Sequence, residues 1–318
     1  MRIGIITPAP PGSNYGNRVT AVRWAKILRK LGHQVSIAEK YDEQPFSLLI
    51  ALHARRSSPS ITRWRRRNPD APLVVALTGT DLYRDIQSKT RAQESLKVAD
   101  RIVVLQPRAL KELTLSQQKN TRVIYQSVEA KLVRANRRTP RRVFDVCVIG
   151  HLRPVKDPFR AALASRLLPA TSQIRIRQIG RAMTKQMLEK ARGEMKFNPR
   201  YHWLGEMSRA RTLRVLANSD FCVISSRIEG GANVLAEAIV AAVPVLASRI
   251  DGNVGILGPD YPGLFGVGDT HELARLMKRA EIDPKFLSQL KTRAKKLASL
   301  FEPAREERSW ADLIDELG

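Results

Sequence analysis

The sequence predicts an α/β protein of two Rossmann-like halves, each a parallel sheet covered by helices on both faces. Three observations carry that expectation. Short apolar runs alternate with helical stretches along the chain. The alternation stops at the polar run Asn136-Arg137-Arg138-Thr139-Pro140-Arg141, which has the composition of a linker, and then restarts. Several apolar runs end on turns rich in glycine, serine or threonine, the form of a strand delivering a ligand-facing loop. The expected organisation is one half over 1–138, a second over 139–300, and a C-terminal helix over 301–318 that could pack back on the first half.

Each element has a local reason. Residues 2–6 form an apolar strand that Pro8-Ala9-Pro10-Pro11-Gly12 terminates. An amphipathic helix is expected over 19–31, with Gly32 as its C-terminal stop. Further strands of the first half fall at 34–38, 47–52, 73–77, 101–105 and 122–125. In the second half they fall at 143–149, 174–179, 201–204, 221–224 and 244–247. A helix rich in alanine and aliphatics follows 221–224 and continues through Ala242. The tail from 283 is helical and charged, with Trp310, Leu313, Ile314 and Leu317 on one face.

Composition narrows the function classes. A chain of 318 residues with 43% hydrophobic residues can bury two cores, which excludes wholesale disorder. The net charge of +25 implies an anionic partner or substrate, either nucleic acid or a small phosphate compound. Cys147 and Cys222 each sit inside an apolar run and read as buried, reduced thiols. Cysteine and histidine do not cluster as a structural zinc site would require. The first apolar run meets Pro8 too soon for a signal peptide, and no run approaches the roughly 20 residues of a membrane span. The expected location is the cytoplasm.

The most informative stretch is Ser225-Ser226-Arg227-Ile228-Glu229-Gly230-Gly231-Ala232-Asn233-Val234-Leu235-Ala236-Glu237-Ala238. A strand stops at two serines, and two glycines open a helix. Glycine lets a ligand approach the backbone closely, and the N–H groups at a helix start attract anions. Glu229 and Glu237 bracket this turn. A carboxylate beside an anion site repels phosphate, so these two are better suited to accept hydrogen bonds from hydroxyls. Amides for phosphate and carboxylates for hydroxyls together suit a nucleotide sugar.

The register around this stretch resembles a known family. Tyr201-His202-Trp203-Leu204-Gly205-Glu206-Met207, then Asn218-Ser219-Asp220, then Glu229-Gly230 and Glu237-Ala238, then Val243-Pro244-Val245 resemble the nucleotide-sugar domain of family 4 glycosyltransferases with the GT-B fold. The resemblance covers most of 143–270. It implies that Glu229 faces hydroxyls of the transferred sugar and Glu237 the ribose. It also implies that Gly230, Gly231, Ala232, Asn233 and Val234 face the diphosphate, and Gly205, Glu206 and Met207 the base. The family carries an arginine and a lysine after the first strand of this domain, to neutralise the departing diphosphate. Lys156 matches the lysine. His151 stands at the arginine position, and Arg153, two residues on, is the candidate replacement.

In the first half the loop Pro10-Pro11-Gly12-Ser13-Asn14-Tyr15-Gly16-Asn17-Arg18 is neither a dinucleotide fingerprint nor a P-loop. Glycine, a helix start and a fixed cation still make Gly16, Asn17 and Arg18 a reasonable anion cradle. Thr78-Gly79-Thr80-Asp81 and His53-Ala54-Arg55-Arg56 each end a strand, where ligands bind in open sheets. Arg63, Arg65, Arg66 and Arg67 surround Trp64, which reads as a solvated face with one half-buried tryptophan rather than a nucleic-acid platform.

A closer resemblance spans both halves. The opening run through Ser13 with Tyr15-Gly16-Asn17-Arg18-Val19-Thr20-Ala21, Ala51 to Ser57, Ala76 to Asp85, and Gly150 to Pro158 are similar to the selenosugar synthases of selenoneine biosynthesis. That similarity implies an enzyme joining selenophosphate to a UDP-sugar (UDP-GlcNAc or UDP-glucose) through a carbon–selenium bond, with release of UDP and phosphate. It makes Arg153, Lys156, His53 and Asp81 catalytic candidates, and Gly16, Asn17, Arg18, Thr80 and Arg84 acceptor-binding candidates. The active site is expected in an interdomain cleft, with no metal, since no Asp-x-Asp motif appears, and with no cofactor beyond the UDP-sugar co-substrate. Expected partners are the two substrates, with neighbouring pathway enzymes as further candidates, and not a specific nucleic acid. An ordinary family 4 transferase with a hydroxyl acceptor, and a basic nucleic-acid-binding protein on an enzyme-derived fold, remain alternatives.

Overall fold

In the computed structural model, which describes residues 1–133 and 143–318, the chain forms two compact units. The first comprises Met1–Ser127, Glu302–Gly318 and the tripeptide Glu229–Gly231. The second comprises Val128–Ile228 and Ala232–Phe301. The linker expected at 136–141, and with it the boundary at 138/139, lies outside the described residues.

The first unit holds a six-stranded, all-parallel sheet in the order β2-β1-β3-β4-β5-β6. Its strands are β1 (Arg2–Ile6), β2 (Gln34–Ala38), β3 (Leu48–Leu52), β4 (Leu73–Ala76), β5 (Arg101–Val104) and β6 (Thr121–Val123). The central strands β3 and β4 are buried at every position, which is why they read as continuous apolar runs rather than alternations. Apolar clusters cover both faces. One contains Trp24, Leu28 and Ile50 with Trp310, Leu313 and Ile314 from the C-terminal helix Pro303–Asp315. The other contains Trp64, Leu49 and Val75.

The second unit repeats the plan with β7 (Phe144–Ile149), β8 (Ile174–Ile179), β9 (Tyr201–Trp203), β10 (Phe221–Ile224), β11 (Val245–Ser248) and β12 (Leu264–Phe265). Its order, β12-β11-β10-β7-β8-β9, is again all parallel. In each sheet the chain winds outward in both directions from one switch point, between β1 and β3 in the first and between β7 and β10 in the second. Loops at the carboxyl ends of those strands part there and leave room for a ligand.

Several local expectations need correction. The first helix runs Gly16–Lys30, three residues earlier than the pattern suggested, so Gly16, Asn17 and Arg18 form its first turn. The helix after β10 stops at Val240, and Ala242 takes a left-handed φ of 53°. β12 is two residues long and too short to show a period. Trp64 is fully buried, packed edge-on against Tyr41 at 5.2 Å. Neighbouring Arg65 is spent on the carbonyls of Pro69, Ala71 and Val98 and on Asp100. Cys147 and Cys222 are buried and reduced, and burial pushes the Cys147 thiol up to about 12. Among the described residues, no helix is long and apolar enough to cross a membrane.

Candidate functional site

In the second unit, β7 and β10 feed the two loops of the switch point. After β7 the chain passes Gly150 and His151 into the turn Pro154–Lys156, and Asp157 follows with a left-handed φ of 43°. That uncommon backbone is held from the β10 side. Ser225 Oγ donates to the carbonyls of Asp157 (2.8 Å) and Lys156 (3.3 Å), and the Arg227 N–H donates to Val155 O at 2.8 Å. The Asp157 carboxylate in turn takes Arg160 Nε at 2.9 Å. Lys156 is thus half-buried on a laced loop, whereas Arg153 is exposed at its start. His151 Nδ1 accepts the Arg181 N–H at 3.2 Å, which makes it a loop-fixing residue here.

Beyond β10, the helix Asn233–Val240 begins at Ala232, an N-cap whose side chain satisfies no N–H group, and no acidic residue sits in its first turn. The helix therefore presents its positive end at Ala232–Val234. Glu237, one turn in, is 3% exposed, and Arg209 Nη2 stands 2.7 Å from its Oε1. Arg209 opens the helix Arg209–Ala217, one residue (Ser208) after Gly205, Glu206 and Met207. Gly205 has φ 70°. It borders a cavity of about 470 Å³ whose walls include Arg181, Met183, Leu188, Trp203 and Glu206. Trp203 is fixed there by its Nε1–H, which donates to Gly180 O at 2.8 Å. A flat apolar wall beside exposed polar groups suits a planar heterocycle.

In the first unit the two loops are those after β1 and β3, with the β4 loop beside them. Arg18 lies in the first turn of Gly16–Lys30, a helix with no acidic residue in that turn, and its Nη1 is buried with no hydrogen-bond partner among the described residues. His53 follows β3 with a left-handed φ of 74° and is 3% exposed. Its Nε2 is 3.2 Å from Thr80 Oγ1, and its Nδ1 accepts the Arg56 N–H at 3.4 Å. Burial lowers the His53 pKa below its ordinary value, and the nearby Asp81 charge opposes that only in part. The neutral ring therefore carries its proton on Nε2, toward Thr80.

Asp81 is wholly buried. Its Oδ1 accepts the N–H groups of Thr78 (3.0 Å) and Gly79 (2.9 Å), and its Oδ2 accepts that of Ala54 (3.1 Å). Asp85 does the same for side chains, taking Arg55 Nε at 2.8 Å and Arg84 Nε at 3.2 Å. The pair ties the β3 loop to the β4 loop. His53, Thr80 and Asp81 are brought together, and Arg84 is held beside them through Asp85.

The tripeptide Glu229–Gly231 clusters with this unit, whereas Glu237 belongs to the other, so the two carboxylates are divided between units. A Cβ on Gly230 would stand 2.6 Å from the Thr78 carbonyl, and one on Gly231 would stand 2.6 Å from Leu105 Cβ. Glycine at 230 and 231 is therefore demanded by protein packing and not only by approach of a ligand. Arg209, Asp85 and the 181–188 cavity wall escaped the sequence reading. Gly180, ending β8 as Gly150 ends β7, was the signal available for the last of these. Among the described residues, no group of three or more His, Cys, Asp or Glu side chains is arranged to hold a metal.

Comparison with known proteins fits this geometry. The family model described as "Glycosyl transferases group 1" matches residues 131–297, more than half of the chain. Among solved structures, HepE of Anabaena in complex with UDP-glucose superposes with a TM-score of 0.79 at 17% identity, over 100% of both chains. The same protein in complex with UDP gives 0.79 at 16% identity, over 99% of each. Sucrose-phosphate synthase of Thermosynechococcus elongatus gives 0.81 at 16% identity, over 99% of this chain and 98% of that one. These likenesses establish the fold, two Rossmann-like α/β units of the GT-B type, and the matched segment spans nearly all of the second unit. The chain belongs to the glycosyl transferases group 1 family.

Proposed function

We propose that this glycosyltransferase moves a sugar from a UDP-sugar, UDP-GlcNAc or UDP-glucose, onto selenophosphate. The selenium lone pair forms the carbon–selenium bond at the anomeric carbon as the bond to UDP breaks. Water then cleaves the selenium–phosphorus bond, so UDP and phosphate leave and a selenosugar remains. Lys156 and Arg153 take the negative charge developing on the departing diphosphate. In this reading side-chain cations do that work rather than a metal. Ala232, Asn233 and Val234 offer backbone N–H groups to the phosphates, with Gly230 and Gly231 leading in. Glu237 accepts the ribose hydroxyls, Glu229 accepts hydroxyls of the transferred sugar, and the cavity beside Gly205, Glu206 and Met207 takes the base. Structures of HepE with UDP and with UDP-glucose support a UDP-linked donor.

The observation that carries the acceptor half is the buried Nη1 of Arg18, which has no hydrogen-bond partner among the described residues, at the first turn of Gly16–Lys30. A buried guanidinium nitrogen with no acceptor is costly, and a small polyanion bound beside Gly16 and Asn17 would satisfy it. Selenophosphate is such an anion, and selenium is nucleophilic enough to need guidance more than a strong general base. Thr80 and Arg84 extend the cationic, hydrogen-bonding wall. His53 orients Thr80, and Asp81 holds the loop, which makes both positioning residues in this reading.

The test is to incubate purified protein with each UDP-sugar and selenophosphate under reducing conditions, then measure UDP release and the mass of any selenium-bearing sugar. Glu237→Ala should raise the KM for the UDP-sugar by roughly tenfold or more, the equivalent of losing one charged hydrogen bond. Arg18→Ala should raise the acceptor KM and leave UDP affinity unchanged. Transfer to a hydroxyl compound with no selenium product would replace the acceptor and keep the donor site. A salt-sensitive shift of nucleic acid with no turnover would replace the enzyme reading altogether.

A further inference from the structure

Glu237 sits badly with its surroundings unless something neutralises it. It is a carboxylate 3% exposed, one turn inside the helix whose N-terminal end is the proposed diphosphate site. An uncompensated buried carboxylate is strongly unfavourable, and at this place it would also repel the phosphates it helps to bind. The compensating group is at hand. Arg209 Nη2 stands 2.7 Å from Glu237 Oε1, and the Arg209 side chain is 41% exposed, so the guanidinium keeps water on its outer edge. Arg209 is also the first residue of its helix, one position after Ser208, whose side chain accepts the Arg211 N–H. Arg209 therefore links the start of the helix that follows Gly205–Met207 to the Glu237 carboxylate.

We infer that Arg209 is a positioning residue of the donor site: its guanidinium neutralises Glu237, so that Glu237 accepts donor hydroxyls without repelling the diphosphate. This rests on the reading of Glu237 as a hydroxyl acceptor given above. If Arg209 were only a structural staple between two helices, its loss would lower the melting temperature and leave the charge of Glu237 irrelevant to UDP binding.

The experiment is titration calorimetry of UDP into the full chain, comparing wild type, Arg209→Ala, Arg209→Lys, Glu237→Gln and the two Arg209 variants each combined with Glu237→Gln. Removing Arg209 should weaken UDP about tenfold, the scale of one unscreened charge about 12 Å from a phosphate at an effective dielectric of about 20. Arg209→Lys should recover to within about threefold of wild type. In the Glu237→Gln background, where no charge remains to neutralise, removing Arg209 should cost less than about twofold. At saturating donor, kcat of Arg209→Ala should stay within about twofold while the donor KM rises with the dissociation constant. UDP affinity unchanged by Arg209→Ala, or an equal loss in the wild-type and Glu237→Gln backgrounds, overturns the inference and leaves the donor reading standing. Glu237→Gln binding UDP as wild type does, or wild type failing to bind UDP, overturns the donor reading itself and this inference with it. Should Arg209→Ala unfold early, Arg209→Lys carries the same comparison: a loss present with Glu237 intact and absent with Glu237→Gln supports the role, and equal losses refute it.

Discussion

Replacing Asp81 by asparagine separates a residue that holds the acceptor loops from one that does acid–base chemistry. The carboxylate is wholly buried and receives three backbone N–H groups, from Thr78, Gly79 and Ala54. With the amide oxygen kept at the Oδ1 position, the bonds from Thr78 and Gly79 survive as neutral ones. The new NH2 group then opposes the Ala54 N–H, a donor against a donor. The lost charged bond costs about 1.5–3 kcal/mol. Weakening the other two from charged to neutral adds about 0.5–1 kcal/mol each. The sum, about 2.5–5 kcal/mol, is a large share of the roughly 5–15 kcal/mol that typically separates folded from unfolded domains. Urea unfolding followed by tryptophan fluorescence suits the measurement, because Trp24, Trp64 and Trp310, three of the four tryptophans, belong to the first unit. Its midpoint should drop in Asp81→Asn, and the acceptor KM should rise with the loosened loops. A first unit destabilised by less than about 1 kcal/mol, together with collapsed turnover at saturating acceptor, would refute the positioning role and make Asp81 a catalytic group.

Two further outcomes test the frame around that site. Glu306 is 1% exposed and accepts Trp24 Nε1 (2.8 Å), the N–H and hydroxyl of Ser127 (2.7 and 2.5 Å) and Arg23 Nε (3.2 Å). Glu306→Ala should therefore destabilise the first unit by about 3–5 kcal/mol, read by the same fluorescence transition, while UDP affinity stays within about twofold. His53 is buried and its pKa is lowered, chiefly by burial, from 6.5. Below pH 6.5 the unfolded chain then binds the proton more readily than the folded one, so stability falls as pH drops toward the folded value and levels off beneath it. His53→Asn, which tolerates the left-handed φ, should flatten that acid-side slope in unfolding curves measured from about pH 7.5 to about pH 5.

The loops after β7 and β10 were legible because their signals are local. A strand, two glycines and a helix start carry Glu237 at a fixed spacing; β10 forms where the pattern puts it, and the following helix begins as expected but ends at Val240. Sheet order was less accessible, because it depends on which strands pair. The switch points between β1 and β3 and between β7 and β10 appear only once the sheets are assembled. Long-range electrostatic partners were invisible for the same reason. Nothing near Glu237 in the chain announces Arg209, 28 positions earlier, and nothing near Trp24 announces Glu306. Trp64 misled in a different way. Four arginines around one aromatic suggest a wet face, but the helix Ser58–Arg67 turns the tryptophan inward and the arginines outward. His53 and Asp81 were singled out by their place at strand ends and by the resemblance. Their hydrogen bonds follow no spacing rule.

The surplus of positive charge also has a structural reading. Asp81, Asp85, Asp145, Glu194, Glu237 and Glu306 are all buried, six of the 30 acidic residues. Each has partners within the protein. Asp81 takes backbone N–H groups, and the other five each take at least one arginine: Asp85 with Arg55 and Arg84, Asp145 with Arg175, Glu194 with Arg166, Glu237 with Arg209, Glu306 with Arg23. Arg55 and Arg84 at Asp85, Arg175 at Asp145, Arg166 at Glu194 and Arg209 at Glu237 remain at least 37% exposed while the acids they meet do not. Burial of this kind withdraws negative charge from solvent and leaves cations at the surface, so the field of the molecule is more positive than a count of surface pairs suggests. A nucleic-acid platform would need some of those cations to frame an accessible aromatic, and the helix offering that arrangement has buried its tryptophan and tied Arg65 to backbone carbonyls. Small phosphorylated substrates make no such demand. They need a positive field for capture and a few fixed donors at the strand ends, and Arg18, Lys156 and the helix starting at Asn233 stand at those ends.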